Sequence, residues 1–287
     1  MFACLYVPDF PVQAVVRLDA SLRQQPVALL DGPPPLQKVA ALNSRARKQG
    51  MHLGMTKPQA ELFGVKLYQR DRSQEAAASQ ALLDCAFSFS PRVEDGDKHN
   101  GCVILDIDGL ERLHGDAQSI GQALQQLGNT LGFELNIGIA GNPDAATLTA
   151  HGFSGITVVP QGFEQKRFGL LPIEILDLSP DLQETFRTWG IQTLQALADL
   201  PEIGLIERVG QEGKRLQTLA RGASQRSLIL SQPESKFEES LELEFPIEQL
   251  EPLTFVLTRL LQPLCARLAA RGMAARTVSL TLELETN

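Results

Sequence analysis

Short apolar runs broken by Gly, Pro and Asp set the rhythm of the first 160 residues, and each run has the length of a strand or a short helix. Residues 1–7 are continuously apolar and run into Pro8 and Asp9, which predicts a buried strand. A helix follows over 11–18, with Pro11 suited to its first turn. Strands are predicted over 26–31, 39–42 and 65–69. Between them lies a basic helix that Asn43 caps and Gly50 ends, then a second short helix after Lys57-Pro58. An amphipathic helix is predicted over 73–88, a strand over 101–110, a helix over 117–131, a strand over 134–140, and a further helix capped by Gly141-Asn142-Pro143-Asp144. This succession predicts an α+β sheet domain interrupted by the basic stretch.

Around Pro160 the texture changes to short helical segments punctuated by Leu171-Pro172, Ser179-Pro180, Gly190 and Pro201. Short helices joined by glycine form helix-hairpin-helix modules, in which backbone N–H groups at helix starts can hold a nucleic-acid phosphate. A polar linker over 231–240 leads to a strand over 241–245, a long helix over 248–271 and a strand over 277–285. That single βαβ-like unit is too thin to stand alone and reads as an incomplete domain.

The strand over 101–110 carries Asp106 and Asp108, which alternation places on one face. Paired carboxylates at a strand end hold divalent metal in phosphoryl-transfer sites, but Asp-Gly at a strand end needs no ligand to explain it and reads first as turn chemistry. The net charge of −8 argues against coating nucleic acid through bulk electrostatics. Between residues 21 and 73, however, nine Lys and Arg face only Asp31, Glu61 and Asp71. Cys4, Cys85, Cys102 and Cys265 show no C-x-x-C spacing, which argues against zinc and for a reducing, cytoplasmic location. The N-terminus lacks the basic flank of a signal peptide, and no membrane role is expected.

Several segments, in order, resemble the Y-family translesion DNA polymerases: Pro26-Val27-Ala28-Leu29, Asn43-Ser44-Arg45-Ala46-Arg47-Lys48-Gln49-Gly50, Phe89-Ser90-Pro91-Arg92-Val93-Glu94, Leu105-Asp106-Ile107-Asp108-Gly109, Ile137-Gly138-Ile139-Ala140-Gly141-Asn142, and Trp189-Gly190-Ile191 through Ala220-Arg221-Gly222. The resemblance implies a right-hand architecture. It assigns a palm-like domain to 1–20 and 74–162, a fingers-like domain to 21–73, a helix-hairpin-helix thumb to 163–232 and a partial little finger to 241–287. It also implies phosphate contacts at Arg47 and Lys48. In the thumb-like region bases and acids balance, so any grip on DNA there is expected from backbone N–H groups near Gly190, Gly210 and Gly213, helped by Lys214 and Arg215.

The departures from the family pattern set the expected function. The family's adjacent catalytic Asp and Glu fall on Gly101 and Cys102, and its first-strand aspartate falls near Tyr6 or Val7. Glycine and tyrosine cannot hold the two metal ions of phosphoryl transfer. The family's pocket tyrosine falls on Ser44, and its later lysines on Pro143 and Thr147. This combination is similar to the ImuB type, the polymerase-like subunit of the bacterial damage-inducible mutasome. The resemblance implies a pseudoenzyme with no metal or cofactor that binds DNA weakly and joins it to a sliding clamp, a C-family error-prone polymerase and the RecA-like ImuA. An alternative keeps magnesium-dependent synthesis with ligands relocated to Asp9, Asp106 and Asp108. The bland reading is a DNA-binding module without partners. Residues 249–255 have a loose likeness to a clamp-binding peptide but read first as the start of an amphipathic helix.

Overall fold

The computed structural model describes residues 1–97, 101–232, 236–241, 243, 247 and 249–282. Its centre is a five-stranded sheet of order β5-β6-β1-β7-β8, formed by β1 (Phe2–Tyr6), β5 (Val93–Asp97), β6 (Cys102–Asp106), β7 (Asn136–Ala140) and β8 (Ile156–Val158). β1 pairs antiparallel with both β6 and β7, and β8 runs parallel to β7. Being central and covered on both faces, β1 is apolar at every position, as its sequence requires.

Alternation along β1 divides two apolar clusters. Ala3, Leu5 and Val7 face α1 (Phe10–Val16), α4 (Arg72–Phe87) and α6 (Ala117–Thr130). Cys4 faces the other way, toward α7 (Pro143–Gly152) and the helices that follow it. At Gly138 in β7 an added Cβ would lie 2.3 Å from both the Ala146 oxygen and the Ala150 nitrogen. Only glycine lets α7 lie this close to the strand.

The basic stretch folds over a separate three-stranded sheet, β2 (Val27–Asp31), β3 (Lys38–Leu42) and β4 (Lys66–Gln69), in the order β3-β2-β4. It carries α2 (Ser44–Lys48) and α3 (Lys57–Glu61). The Asn43 side chain accepts from the Ala46 N–H at 3.0 Å, the cap predicted for α2. A one-turn α5 (Glu111–His114) follows β6. After β8 come α8 (Glu164–Phe168), α9 (Pro180–Thr188), α10 (Leu194–Ala198), α11 (Glu202–Val209) and α12 (Gln211–Ala220). Their apolar faces, including Phe168, Phe186, Leu194, Leu205 and Leu216, join the α7 cluster in one continuous core.

The last helix, α13 (Leu250–Ala270), lies beside α4. Its length and apolar content would suffice for a membrane span, yet Arg267 from its last turn is buried against Asp84 of α4 at 2.9 Å, which fixes it to the protein. The sequence predicts a strand over 277–285, but residues 277–282 are in no strand, and the rest lie outside the described residues. A strand needs a neighbouring ladder to satisfy its backbone. Its expected partner over 241–245 is described only at Leu241 and Leu243, neither of them in a strand.

Candidate nucleotide and metal site

β1 and β6 bring the end of one strand against the start of the other. Tyr6 lies opposite Cys102, and the Val7 N–H donates to the Gly101 carbonyl at 2.9 Å. Sequence reasoning singled out Tyr6, Gly101 and Cys102 separately, and the sheet register makes them neighbours. Gly101 has φ of +63°, and an added Cβ would stand 2.4 Å from Cδ2 and 2.7 Å from Cγ of Phe10. The space for a side chain at residue 101 is thus filled by a buried aromatic ring. The Cys102 Sγ is buried, 3.5 Å from the Sγ of Cys4. Burial, reinforced by Cys102, pushes the Cys4 thiol well above its ordinary range.

The Tyr6 ring stacks on His151 with centroids 3.9 Å apart. Burial raises the Tyr6 phenol, and the nearby Asp9 carboxylate adds to the shift. Asp9 takes a left-handed conformation, φ 52°, at the start of α1. Its carboxylate receives two hydrogen bonds from Arg47 of α2, at 3.0 and 2.6 Å. The arginine expected to meet a phosphate therefore already has a bidentate anionic partner from the neighbouring sheet's side. Lys48 is exposed and without an ion pair among the described residues.

The relocated ligand set does not assemble. Asp106 pairs with Phe2, at the other end of β1 from Asp9, and stands four steps along the strand from Cys102, about 13 Å at the usual rise. The Asp106 carboxylate is buried against Arg92 at 2.7 Å and accepts the Asp108 N–H at 3.1 Å. β6 ends at Asp106, so Asp108 does not share a strand face with it. Asp108 stands exposed in the following turn and pairs with the N-terminal amine. Among the described residues no group of three or more His, Cys, Asp or Glu is placed to hold a metal ion. Magnesium favours carboxylate and water oxygens, so a glycine, a buried thiol and a stacked tyrosine do not fit it.

In the helical region the N–H groups of Gly190, Gly210 and Gly213 themselves bond to the carbonyls of Arg187, Ile206 and Gly210. Gly213 is a packing residue, since a Cβ there would press on Leu205 and Val209 at 3.0 Å. Lys214 pairs with Glu202 at 2.8 Å and Arg215 with Glu212 at 2.7 Å. By contrast Lys38, Lys48, Lys57 and Lys66 of the basic stretch are exposed and unpaired among the described residues. Sequence reasoning missed Phe10 as the occupant of the site and Asp9 as the partner of Arg47. An aromatic after a strand reads as core, and a salt bridge 38 residues apart leaves no sequence trace.

The impB/mucB/samB family profile matches residues 5–151, just over half of the chain. The chain belongs to the impB/mucB/samB family. This impB/mucB/samB chain is 28% identical over 208 residues to Protein ImuB of Caulobacter vibrioides, covering 72% of the chain and 44% of that relative. It is 27% identical over 272 residues to DNA polymerase IV of Dehalococcoides mccartyi, covering 91% of the chain and 68% of the relative. The chain thus spans less than half the length of the ImuB relative. Among solved structures, DinB from Sulfolobus solfataricus superposes with a TM-score of 0.65 at 18% identity, over 79% of this chain and 69% of that one. An insertion ternary complex of Dbh DNA polymerase gives 0.64. The α+β fold of this impB/mucB/samB member is that of the Y-family polymerases.

Proposed function

We propose that this chain is a non-catalytic Y-family homologue that serves as a scaffold in damage-induced translesion synthesis. In this reading it links DNA, held weakly, to a sliding clamp, a C-family error-prone polymerase and a RecA-like ImuA partner in the cytoplasm. One observation carries it. The position that the family resemblance assigns to a catalytic aspartate is a positive-φ glycine whose side-chain space the Phe10 ring fills. The pairing of Arg47 with Asp9 supports the same reading, because it neutralises the cation that would meet a triphosphate. The family resemblance alone argues for the partners. The phosphate contacts proposed at Arg47 and Lys48 reduce to Lys48 while Asp9 holds Arg47. The proposed DNA contacts shift from Gly190, Gly210, Gly213, Lys214 and Arg215 toward the unpaired lysines of the basic stretch.

A second reading, an active polymerase, has the DNA polymerase IV relatives in its favour, since they align over more of the chain than ImuB does. Primer extension on labelled primer-template, titrated with magnesium, separates the two. Scaffold function requires no metal-dependent extension even at high protein concentration, together with capture of a C-family polymerase by the full-length protein. Extension that scales with magnesium would overturn the reading.

A further inference from the structure

We infer that residues 222–231, which lead from α12 toward α13, form a strap that opens and closes over the edge of the central sheet, with Arg226 as its clip. This device holds whether or not the chain extends primers. β5 is an outer strand of the five-stranded sheet, paired on one side with β6. The strap lies along its other side yet is in no strand. The Ser231 N–H donates to the Val93 carbonyl at 2.8 Å, and the Asp95 N–H donates to the Ser231 hydroxyl at 2.9 Å. Two carboxylates supply further holds. Asp144 of α7 accepts from the Ser224 hydroxyl and from Arg226 Nε, while Glu94 of β5 accepts from Arg226 Nη1 and from the Ile229 N–H, each at 2.7 Å.

The strap is sorted the wrong way round for a permanent cover. Ser224, Arg226 and Leu228 are half-buried, whereas Gln225, Ser227 and Ile229 are exposed, so the inward side chains alternate along an extended segment. Of those three only Leu228 packs on the apolar core, and the other large apolar side chains, Ile229 and Leu230, stay 76% and 57% exposed. Arg226 is the only charged residue between 222 and 231. A seam that never opens has no need of it, because packed apolar groups in place of a buried ion pair are often neutral or stabilising. Ionic groups suit a seam with two states, since they are paired when it is closed and hydrated when it is open.

Lifting the strap leaves both neighbours in place. The helices from α8 to α12 remain joined to α7 through their apolar core, and α13 remains on α4 through Arg267. What opening bares is the Val93 carbonyl and the Asp95 N–H, outward backbone groups of the kind with which an extended segment pairs.

Hydrogen exchange of the 287-residue chain, followed amide by amide under conditions that report opening equilibria, tests the strap. The Asp95, Ile229 and Ser231 amides should exchange through one shared opening, faster than Leu5 and Val103 of the paired strands β1 and β6. Arg226→Gln should raise that shared rate roughly tenfold or more, as loss of a charge-assisted hydrogen bond does, and Arg226→Lys should recover part of the protection. Ile120→Val loosens the buried core beneath α6 without touching the strap. In that variant Leu5 and Val103 should speed up, while the three strap-linked amides keep their rates. Exchange of those three amides only at the rate of Leu5 and Val103, or rates unchanged by Arg226→Gln, would overturn the inference.

Discussion

At Gly101 the backbone turns through a φ of +63° beneath the Phe10 ring, and this decides what a reversion could achieve. Restoring carboxylates as Gly101→Asp with Cys102→Glu should fail to create magnesium-dependent extension. The aspartate must adopt a left-handed backbone and displace a ring that would stand 2.4 Å from its Cβ. Left-handed strain and overpacking together should cost about 2–4 kcal/mol, read as a lower midpoint in denaturant. Adding Phe10→Ala opens the space but creates a cavity beside it, so stability should fall further. A second residue-scale effect concerns Cys85, whose thiol is raised from 9.0 to about 12 by burial and then by the charge of Asp84. The folded-state value lies above the unfolded one, so this contribution is intact below pH 9 and lost as pH rises from there toward 12. Unfolding free energy should fall by about 1.4 kcal/mol per pH unit in that window. Cys85→Ala should flatten the slope by one proton, and chemical denaturation at stepped pH measures it.

At the scale of elements, α13 shows how a helix with little buried apolar surface can still be held. Its last turn buries Arg267 between Asp84 of α4 and Glu239, while Glu239 also engages Arg17 of the segment after α1. Removing one member strands the others. Arg267→Ala should cost about 3–5 kcal/mol, the usual penalty for breaking a buried pair, and should expose α13 to limited proteolysis before the central sheet. An unchanged proteolytic pattern would show that apolar contacts hold the helix instead. This cluster was not legible in the sequence, because its members lie on α4, α13 and two connecting segments, and charge alone does not reveal burial. The elements themselves were legible. The apolar run of β1, the Asn43 cap and the glycine punctuation after residue 160 are local signals, and local signals survive folding. Over 277–282 the same logic failed, because alternation predicts a strand only where another strand is available to pair with it.

For the whole molecule, the distribution of unpaired charge matters more than the net −8. The sequence showed that the basic residues cluster between 21 and 73, but not which of them remain free, since pairing depends on tertiary contacts. In the structure Arg47 is held by Asp9 and Arg70 by Glu75, whereas Lys38, Lys48, Lys57 and Lys66 stay exposed without ion pairs among the described residues. In the helical region Lys214 sits on Glu202 and Arg215 on Glu212, and Arg226 is shared by Glu94 of β5 and Asp144 of α7. If DNA binds through these four lysines, each phosphate contact to single strands contributes a slope of about −0.7 in log K against log salt, about −3 in total. A fourfold rise in salt should then weaken binding by roughly 50-fold. Lys48→Glu and Lys57→Glu should each reduce the slope by nearly one contact's worth, while Lys214→Gln should leave it unchanged because that ammonium is already neutralised. Fluorescence anisotropy with a labelled oligonucleotide across a salt series measures all three. A slope that responds to Lys214 and ignores Lys48 would move the DNA-binding surface back to the helical region.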